Sequence, residues 1–498
     1  MGGSGDRAGA LGVRDPALWL LHRFALRLLQ RLHGGAGAAV ANRLAPARDP
    51  RSAARRAGDR GRMRTWYGIR RLYEPQFQER ILLLLLLVAA AYYLVFAIVQ
   101  WVTLTPQSLR FDFANYFGGA QAAAHGTDIY ADFKRSWGTE AWVVAYIYPP
   151  FFAELLAPLT PLGLVGAARV WLLAVHAAFF GSLALILRLH PELSRAGRRL
   201  LLVAALGFMP VYLNLKFQQV ATVWLLLISA TLWAALRRRD SLAGGLIALA
   251  ASLKVSPIFL IPLFARLGRL RLAIMGSGML LIVTVVTMLA SPGSWQFFTV
   301  VLPRIGLGTA NWDNGSIDGL VSRIVASSPN LLGAATSTVA KVVIAGAAVA
   351  VIGVTIWLAG RLPATQRWTL RLSVAALMTS LLIVSSVTWQ HHLVTLLLPM
   401  ATALAWITER RPGARYGWGL TAAYLACWID RRAFPLPADL QVHSAAQGAL
   451  VLAGTSVKLF GLVLLWILLL QMLRRERQMT AVRRPQRPAD GAVAARAA

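Results

Sequence analysis

Long apolar runs, parted by short segments where charges, glycines and prolines gather, divide most of this chain into helices. The runs are read at Ile81–Val102, Leu164–Leu187, Leu200–Asn214, Ala221–Leu236, Leu242–Leu253, Val255–Ala265, Leu272–Ala290, Ala334–Ala359, Leu372–Thr388, Leu393–Thr408, Tyr416–Trp428 and Ala445–Leu473. A straight crossing takes roughly twenty helical residues, so the shorter runs imply tilted, bent or paired spans. The pattern predicts an all-α polytopic membrane protein of about twelve transmembrane helices, with short helices in its first long loop. Leu242–Ala265 is the difficult passage, because two short runs meet at Lys254-Val-Ser-Pro257. It is read as two spans, since one kinked span would reverse every later loop.

Composition agrees and removes other classes. With 57% hydrophobic and 14% charged residues and a mean hydropathy of +0.57, the chain is no ordinary soluble domain. Its lone cysteine, Cys427, excludes an internal disulfide and is expected to be buried in a helix. The net charge of +31 does not point to nucleic acid, because of where the arginines lie. They fill both tails and alternate loops, among them Arg195/Arg198/Arg199, Arg237–Arg239, Arg266/Arg269/Arg271, Arg361/Arg367/Arg371 and Arg410/Arg411/Arg415. That is the positive-inside pattern, and an even span count puts both termini in the cytoplasm of a bacterial inner membrane.

Three regions follow. Residues 1–80 form a basic cytoplasmic tail, disordered over Gly34–Gly61 but with a candidate interfacial helix at Ala17–Leu32, where Arg23, Arg27 and Arg31 recur every fourth residue. Residues 81–473 form the transmembrane domain, and 474–498 a second basic, disordered tail.

Once orientation is set, the unusual polar residues fall on the outer side. The first loop carries Asp112, Tyr116, Tyr130 and Tyr148-Pro-Pro150. Later ones bring Lys216 and Gln218, then Lys254, then Asn314, Ser316 and Arg323, and last Trp389-Gln-His-His392. Polar groups concentrated on one membrane face mark a site. Each has a plainer reading as well: Asp112 as a helix cap, Lys254 as a snorkelling side chain, His391 and His392 as helix-entry residues, Asn314-Gly-Ser316 as a turn. Paired histidines without a carboxylate at ligand spacing are a poor metal signal, so no metal is expected.

The order of these pieces resembles glycosyltransferase family 87. Asp112–Tyr116, His125-Gly-Thr-Asp-Ile-Tyr130 and Tyr146-Ile-Tyr-Pro-Pro150 are similar to its D-x-x-x-Y, G-x-x-(x)-Y and Y-P-P elements. Phe217-Gln-Gln219, Lys254-Val-Ser-Pro257, Asn314-Gly-Ser-Ile-Asp-Gly319 and Trp389-Gln-His-His392 resemble the G-Q-x, K-x-x-P, N-x-S-x-x-G and W-x-H-H elements. The likeness spans about Asp112–Pro399. Phe217 departs from it, standing where glycine is usual; Trp312-Asp313 and the arginine-rich N-terminus have no counterpart.

The resemblance implies a GT-C membrane enzyme that takes a sugar from a polyprenyl phosphate. Asp112 would then be the general base of an inverting transfer; Lys254, His391, His392, Lys216 and Arg323 would serve the donor phosphate. Tyr116, Tyr130, Tyr148, Gln218, Asn314, Ser316 and Trp389 would serve sugar or acceptor, with no cofactor. A lipid-borne donor needs no glycine-rich phosphate loop, and the chain has none. Mannose to a lipid-linked or envelope glycan acceptor is the leading expectation, arabinofuranose or another pentose the alternative. A secondary transporter and a non-catalytic membrane subunit are the readings of another class.

Overall fold

The computed structural model describes residues 75–109, 112–136, 145–325, 337–360, 367–430 and 445–482, all within one compact unit that begins at Tyr73. The candidate interfacial helix at 17–32 and the stretch 34–61 lie outside these residues. Among the described residues every regular element is helical.

A long helix α1 (Pro75–Val102) is followed by three short ones, α2 (Asp112–Ala124), α3 (Ala131–Ser136) and α4 (Pro150–Leu156). A 3-10 turn joins α4 to α5 (Gly163–Leu189). Then come α6 (Arg195–Leu206), α7 (Met209–Lys216), α8 (Ala221–Leu236), α9 (Asp240–Leu253), α10 (Leu260–Arg266) and α11 (Leu270–Ala290). The remainder comprises α12 (Leu302–Ile305), α13 (Ile317–Val325), α14 (Thr338–Ala359), α15 (Arg367–Val384), α16 (Leu397–Arg410), α17 (Ala414–Trp428), α18 (Ala445–Thr455) and α19 (Val457–Val482).

Among the described residues each apolar run is helical in whole or in part, and length and composition mark seven helices able to cross a bilayer. An eighth appears if α6 and α7, bent by 45° at their junction, count as one. The bend has a local cause: Gly207 ends α6, and Pro210 occupies the first turn of α7, where its missing N–H costs nothing. The other four runs form short helices at 221–236, 240–253, 256–266 and 414–428. The difficult passage is broken as expected. Lys254 is extended (φ −155°, ψ 126°), ends α9, and is followed by a 3-10 turn with Pro257 at its start. Close packing holds α9 on α11, where a Cβ on Gly244 would come within 2.7 Å of the Gly276 backbone nitrogen. Cys427 is buried in α17, as read.

Two expectations are corrected. The run Ala445–Leu473 is not one helix, because the chain breaks at Ser456 between α18 and α19. The basic tail does not begin at Arg474 either: α19 continues to Val482. Glu476 sits on that extension, buried, accepting from the Trp406 indole at 2.7 Å and from Arg410 Nε at 2.7 Å. A buried carboxylate with two donors anchors helix that hydropathy alone would end.

The two ends of the bundle differ chemically. At one, Arg371 bonds Glu192 (2.8 Å), Arg367 bonds Glu409 (2.8 Å), and Arg410 bonds Glu476. These are the arginine-rich loops of the sequence pattern. At the other end, Asp128 of the first loop lies against Gly293 beyond α11, and Tyr130 packs on Phe297 at 6.1 Å. The first loop and the segment after α11 therefore share an end, which agrees with the paired reading of α9 and α10.

Candidate active site

α2 starts at Asp112, which puts a carboxylate in the first helical turn, where the backbone N–H groups present positive potential. The next turn presents Tyr116, fully buried, whose hydroxyl donates to Gln219 Oε1 at 2.8 Å. Tyr148, just before the Pro149-Pro150 turn, reaches the same oxygen at 3.1 Å and lies 3.1 Å from the Tyr116 hydroxyl. With its oxygen occupied by two phenols, the Gln219 amide is oriented, and its side chain hydrogen-bonds Asp112. Gln219 itself follows Gln218, which holds a left-handed backbone (φ 53°) pinned by the Trp171 indole on its carbonyl at 2.7 Å. Three chain segments thus fix one carboxylate.

Burial pushes the Asp112 carboxyl up to about 6, opposed by the Gln219 bond and by the charge of Lys254. A base with that value is mostly ionised at neutral pH, yet more basic than an ordinary carboxylate. If its ionised form is required, kcat/KM falls about tenfold per unit as pH drops below about 6 and levels off above it. A pH–rate profile checks this; a limb centred near 4 contradicts it.

Lys254, at the α9 break, faces this group. It lines a small cavity of about 20 Å³ with Trp224, Ser256, Ser385, Thr388 and His392, room for roughly one water. The His391 ring meets that of His392 edge-on at 4.5 Å, and Phe217 packs against His391 at 5.8 Å. Where the family pattern has glycine, this chain therefore puts an aromatic ring beside the histidine pair. His391 Nε2 is buried without a hydrogen-bond partner among the described residues.

Immediately next to Lys254 and Tyr148 runs an apolar groove of about 480 Å³, lined by Pro149, Pro150, Phe151, Val255, Pro262 and Phe297 among others. Its rim residues Ile258, Leu281 and Phe298 are exposed, so it opens away from the bundle. Val255 and Pro149, the chain neighbours of Lys254 and Tyr148, are part of this lining and bring the groove close to the Asp112 cluster.

Not every residue expected from sequence joins this group. Lys216 is exposed at the end of α7, its ammonium 5.9 Å from the Phe217 ring. Tyr130 is buried and donates to the Tyr148 carbonyl at 2.8 Å, a support for the Y-P-P turn. Asn314 Oδ1 accepts from Thr388 N (2.9 Å) and Ser316 Oγ (2.8 Å), while its Nδ2 donates to the Thr309 and Ser386 carbonyls. Ser316 Oγ also accepts from Gly319 N, in the first turn of α13. Arg323 grips the Asn311 and Asn314 carbonyls at 3.0 Å each. These three build the loop that braces the histidine turn. Trp389 is half-buried ahead of that turn, and its N–H donates to His392 Nδ1 at 3.3 Å. The Gln218 amide is fully buried, both polar atoms lacking partners among the described residues.

Two residues of the site have no assigned role in the sequence pattern. Gln219, rather than Gln218, binds Asp112. Lys458, at the start of α19, donates to Gln390 Oε1 at 2.9 Å, directly beside His391.

The sequence profile of glycosyltransferase family 87 matches residues 146–386. That stretch holds Tyr148, Gln219, Lys254 and Asn314; Asp112 and Trp389–His392 flank it. A polyprenol-phosphate-mannose-dependent alpha-(1-2)-phosphatidylinositol pentamannoside mannosyltransferase of Mycobacterium tuberculosis is 28% identical over 338 residues, 65% of this chain and 73% of that protein. The protein of the same description from Mycolicibacterium smegmatis is 32% identical over 168 residues, 33% of this chain and 39% of that one.

Proposed function

Because this chain belongs, through residues 146–386, to glycosyltransferase family 87, we infer that it is a membrane enzyme moving mannose from a polyprenyl phosphate to a glycolipid. One observation carries the reading: an oriented carboxylate, Asp112, feels the charge of Lys254, and the chain neighbours of Lys254 and Tyr148, Val255 and Pro149, line an open apolar groove. The groove suits the first isoprene units of a donor entering sideways from the bilayer. Lys254 then meets the phosphate, and the anomeric carbon comes to rest near Asp112.

The chemistry follows from charge. Asp112 takes the proton of an acceptor hydroxyl as its oxygen attacks the anomeric carbon from the face opposite the phosphate. The bond from that carbon to phosphate oxygen breaks with inversion, and the electron pair leaves on polyprenyl phosphate. A singly charged diester becomes a monoester with up to two charges, so Lys254, with His391 and His392 beside it, stabilises charge that grows during the reaction. Tyr148 and Trp389, both half-buried, offer a phenol and an indole face to the sugar.

Mannose rests on the names of the relatives, and a pentose would find the same groups. Synthetic polyprenyl-phosphomannose and polyprenyl-phosphoarabinofuranose, offered side by side to protein purified in nanodiscs, decide between them. Anomeric configuration in the product, read by NMR, tests inversion.

The site is proposed to face outward, with both termini inside. In a chain whose own cysteine is buried, Gly126→Cys and Leu307→Cys are expected to react with an impermeant thiol reagent added outside intact cells, and Ser241→Cys and Gly413→Cys are not. All four positions are exposed in the structure. The reverse labelling would place the site in the cytoplasm.

A further inference from the structure

We propose that Ser256 is a further phosphate-binding residue, its hydroxyl donating to one oxygen of the donor phosphate inside the small cavity that Lys254 and His392 also line. The proposal rests on the function inferred above and names a group that holds the leaving phosphate of that reaction.

The segment Lys254–Ser256 is a wall with two faces. Val255 lines the apolar groove, while Lys254 and Ser256, on either side of it in the chain, line the small cavity. The chain break accounts for the division: Lys254 is extended (φ −155°, ψ 126°), and successive side chains leave an extended backbone on opposite sides. A lipid phosphate is divided in the same way, an apolar chain joined through one oxygen to a charged head. Groove and cavity, one residue apart, suit its two parts.

The cavity lining is rich in unpartnered donors. Neither Lys254 Nζ nor Ser256 Oγ makes a hydrogen bond among the described residues. Trp224 is part of the same lining and 3% exposed, and its indole N–H is buried without an acceptor among those residues. Trp389 N donates to His392 Nδ1 at 3.3 Å, which puts the proton of the neutral ring on Nε2 and makes that nitrogen a donor. Other hydroxyls of the lining are engaged already. Ser385 Oγ donates to the Val387 carbonyl at 2.9 Å, Thr388 Oγ1 to the Leu382 carbonyl at 2.7 Å and Thr395 Oγ1 to the His392 carbonyl at 2.8 Å. Ser256 is the hydroxyl of this lining whose proton is free to give.

Donors gathered around one small space suit an oxygen that carries negative charge. At about 20 Å³ the cavity takes one oxygen-sized group and not a whole phosphate. It therefore receives a single non-bridging oxygen, with the rest of the phosphate outside. Charge on that oxygen grows as the bond from the anomeric carbon to phosphate breaks, so the Ser256 hydroxyl binds the leaving phosphate more tightly than the intact donor.

The test uses the full chain in nanodiscs, with donor and acceptor saturation on synthetic polyprenyl-phosphomannose and inhibition by polyprenyl phosphate and by neutral polyprenol. Ser256→Ala is expected to lower kcat about tenfold and to weaken inhibition by polyprenyl phosphate by a similar factor, the loss of one hydrogen bond to a charged oxygen. Acceptor KM and inhibition by polyprenol stay as in the wild type, because neither reads the phosphate. Ser256→Cys fills the same space with a weak donor and is expected to match Ser256→Ala, which keeps the result readable if the smaller side chain loosens the turn. Unchanged inhibition by polyprenyl phosphate in Ser256→Ala, an equal loss for polyprenol and polyprenyl phosphate, or full recovery in Ser256→Cys overturns the proposal. A defective Lys254→Met beside a normal Ser256→Ala removes Ser256 alone and leaves the wider reading standing. A wild-type protein that neither uses nor binds the donor removes the wider reading itself.

Discussion

Asp112→Asn is expected to lower the rate of sugar transfer by a factor of roughly a hundred or more, with expression and donor binding retained. The substitution is close to isosteric, and an amide oxygen still accepts from Gln219, so the contacts that place Tyr116 and Tyr148 persist. Only proton acceptance is lost. No other carboxylate among the described residues is held at this position, with Asp128 engaged by Lys134 and Asp318 by Ser322. The variant should also lose the acid limb near pH 6, since the group responsible for it no longer titrates. Single-turnover transfer at saturating donor measures the effect. Near-normal turnover removes Asp112 from the chemistry and leaves it as the cap of α2.

The second large effect is on donor use. Lys254→Met keeps much of the apolar stem, which lines the small cavity beside His392, and removes the charge. Loss of one charge-assisted contact costs about 1.5–3 kcal/mol, or roughly ten- to a hundredfold in donor affinity or rate. Acceptor affinity is expected to change little, because in the proposed mechanism the acceptor hydroxyl meets Asp112 from the other side of the anomeric carbon. An acceptor-only defect, seen by varying the two substrates separately, would move Lys254 out of the phosphate role and leave His391 or His392 in it.

How much of the fold and site is legible in the sequence depends on which signal each feature emits. Asp112, Lys254 and the histidine pair stand out because charge is scarce in an apolar chain, and the structure brings them to one end. Arginine placement assigns an orientation, and the contacts of Asp128 with Gly293 and Tyr130 with Phe297 agree with the paired α9–α10 reading on which it depends. Span number is less legible. Hydropathy finds apolar runs but not whether a run of about fourteen residues crosses, and α9, α10 and α17 are all short enough to pose that question.

Sequence misleads where neighbouring residues share a chemistry. Gln218 and Gln219 are alike in sequence; the left-handed backbone at Gln218 turns the two amides apart, so that Gln219 reaches Asp112. Asn314 and Ser316 look like sugar ligands because they are polar in an apolar chain, yet their side chains are engaged within the loop and with the Thr388 segment. Lys458 is hidden inside Ala445–Leu473. The break at Ser456 just before it carries no proline, and Arg323 reaches Ser456 Oγ at 3.2 Å from a helix more than a hundred residues earlier. Glu476 escapes for the same reason: its partners Trp406 and Arg410 come from a distant helix.

The account stands most directly on where the sugar comes from. Purified full-length protein in nanodiscs, given a glycolipid acceptor extract and radiolabelled mannose either on polyprenyl phosphate or on a nucleotide, is predicted to label the acceptor only from the polyprenyl donor. Asp112→Asn is predicted to abolish nearly all of that labelling. Transfer from the nucleotide sugar, or no transfer alongside movement of intact solute across proteoliposomes, would contradict it.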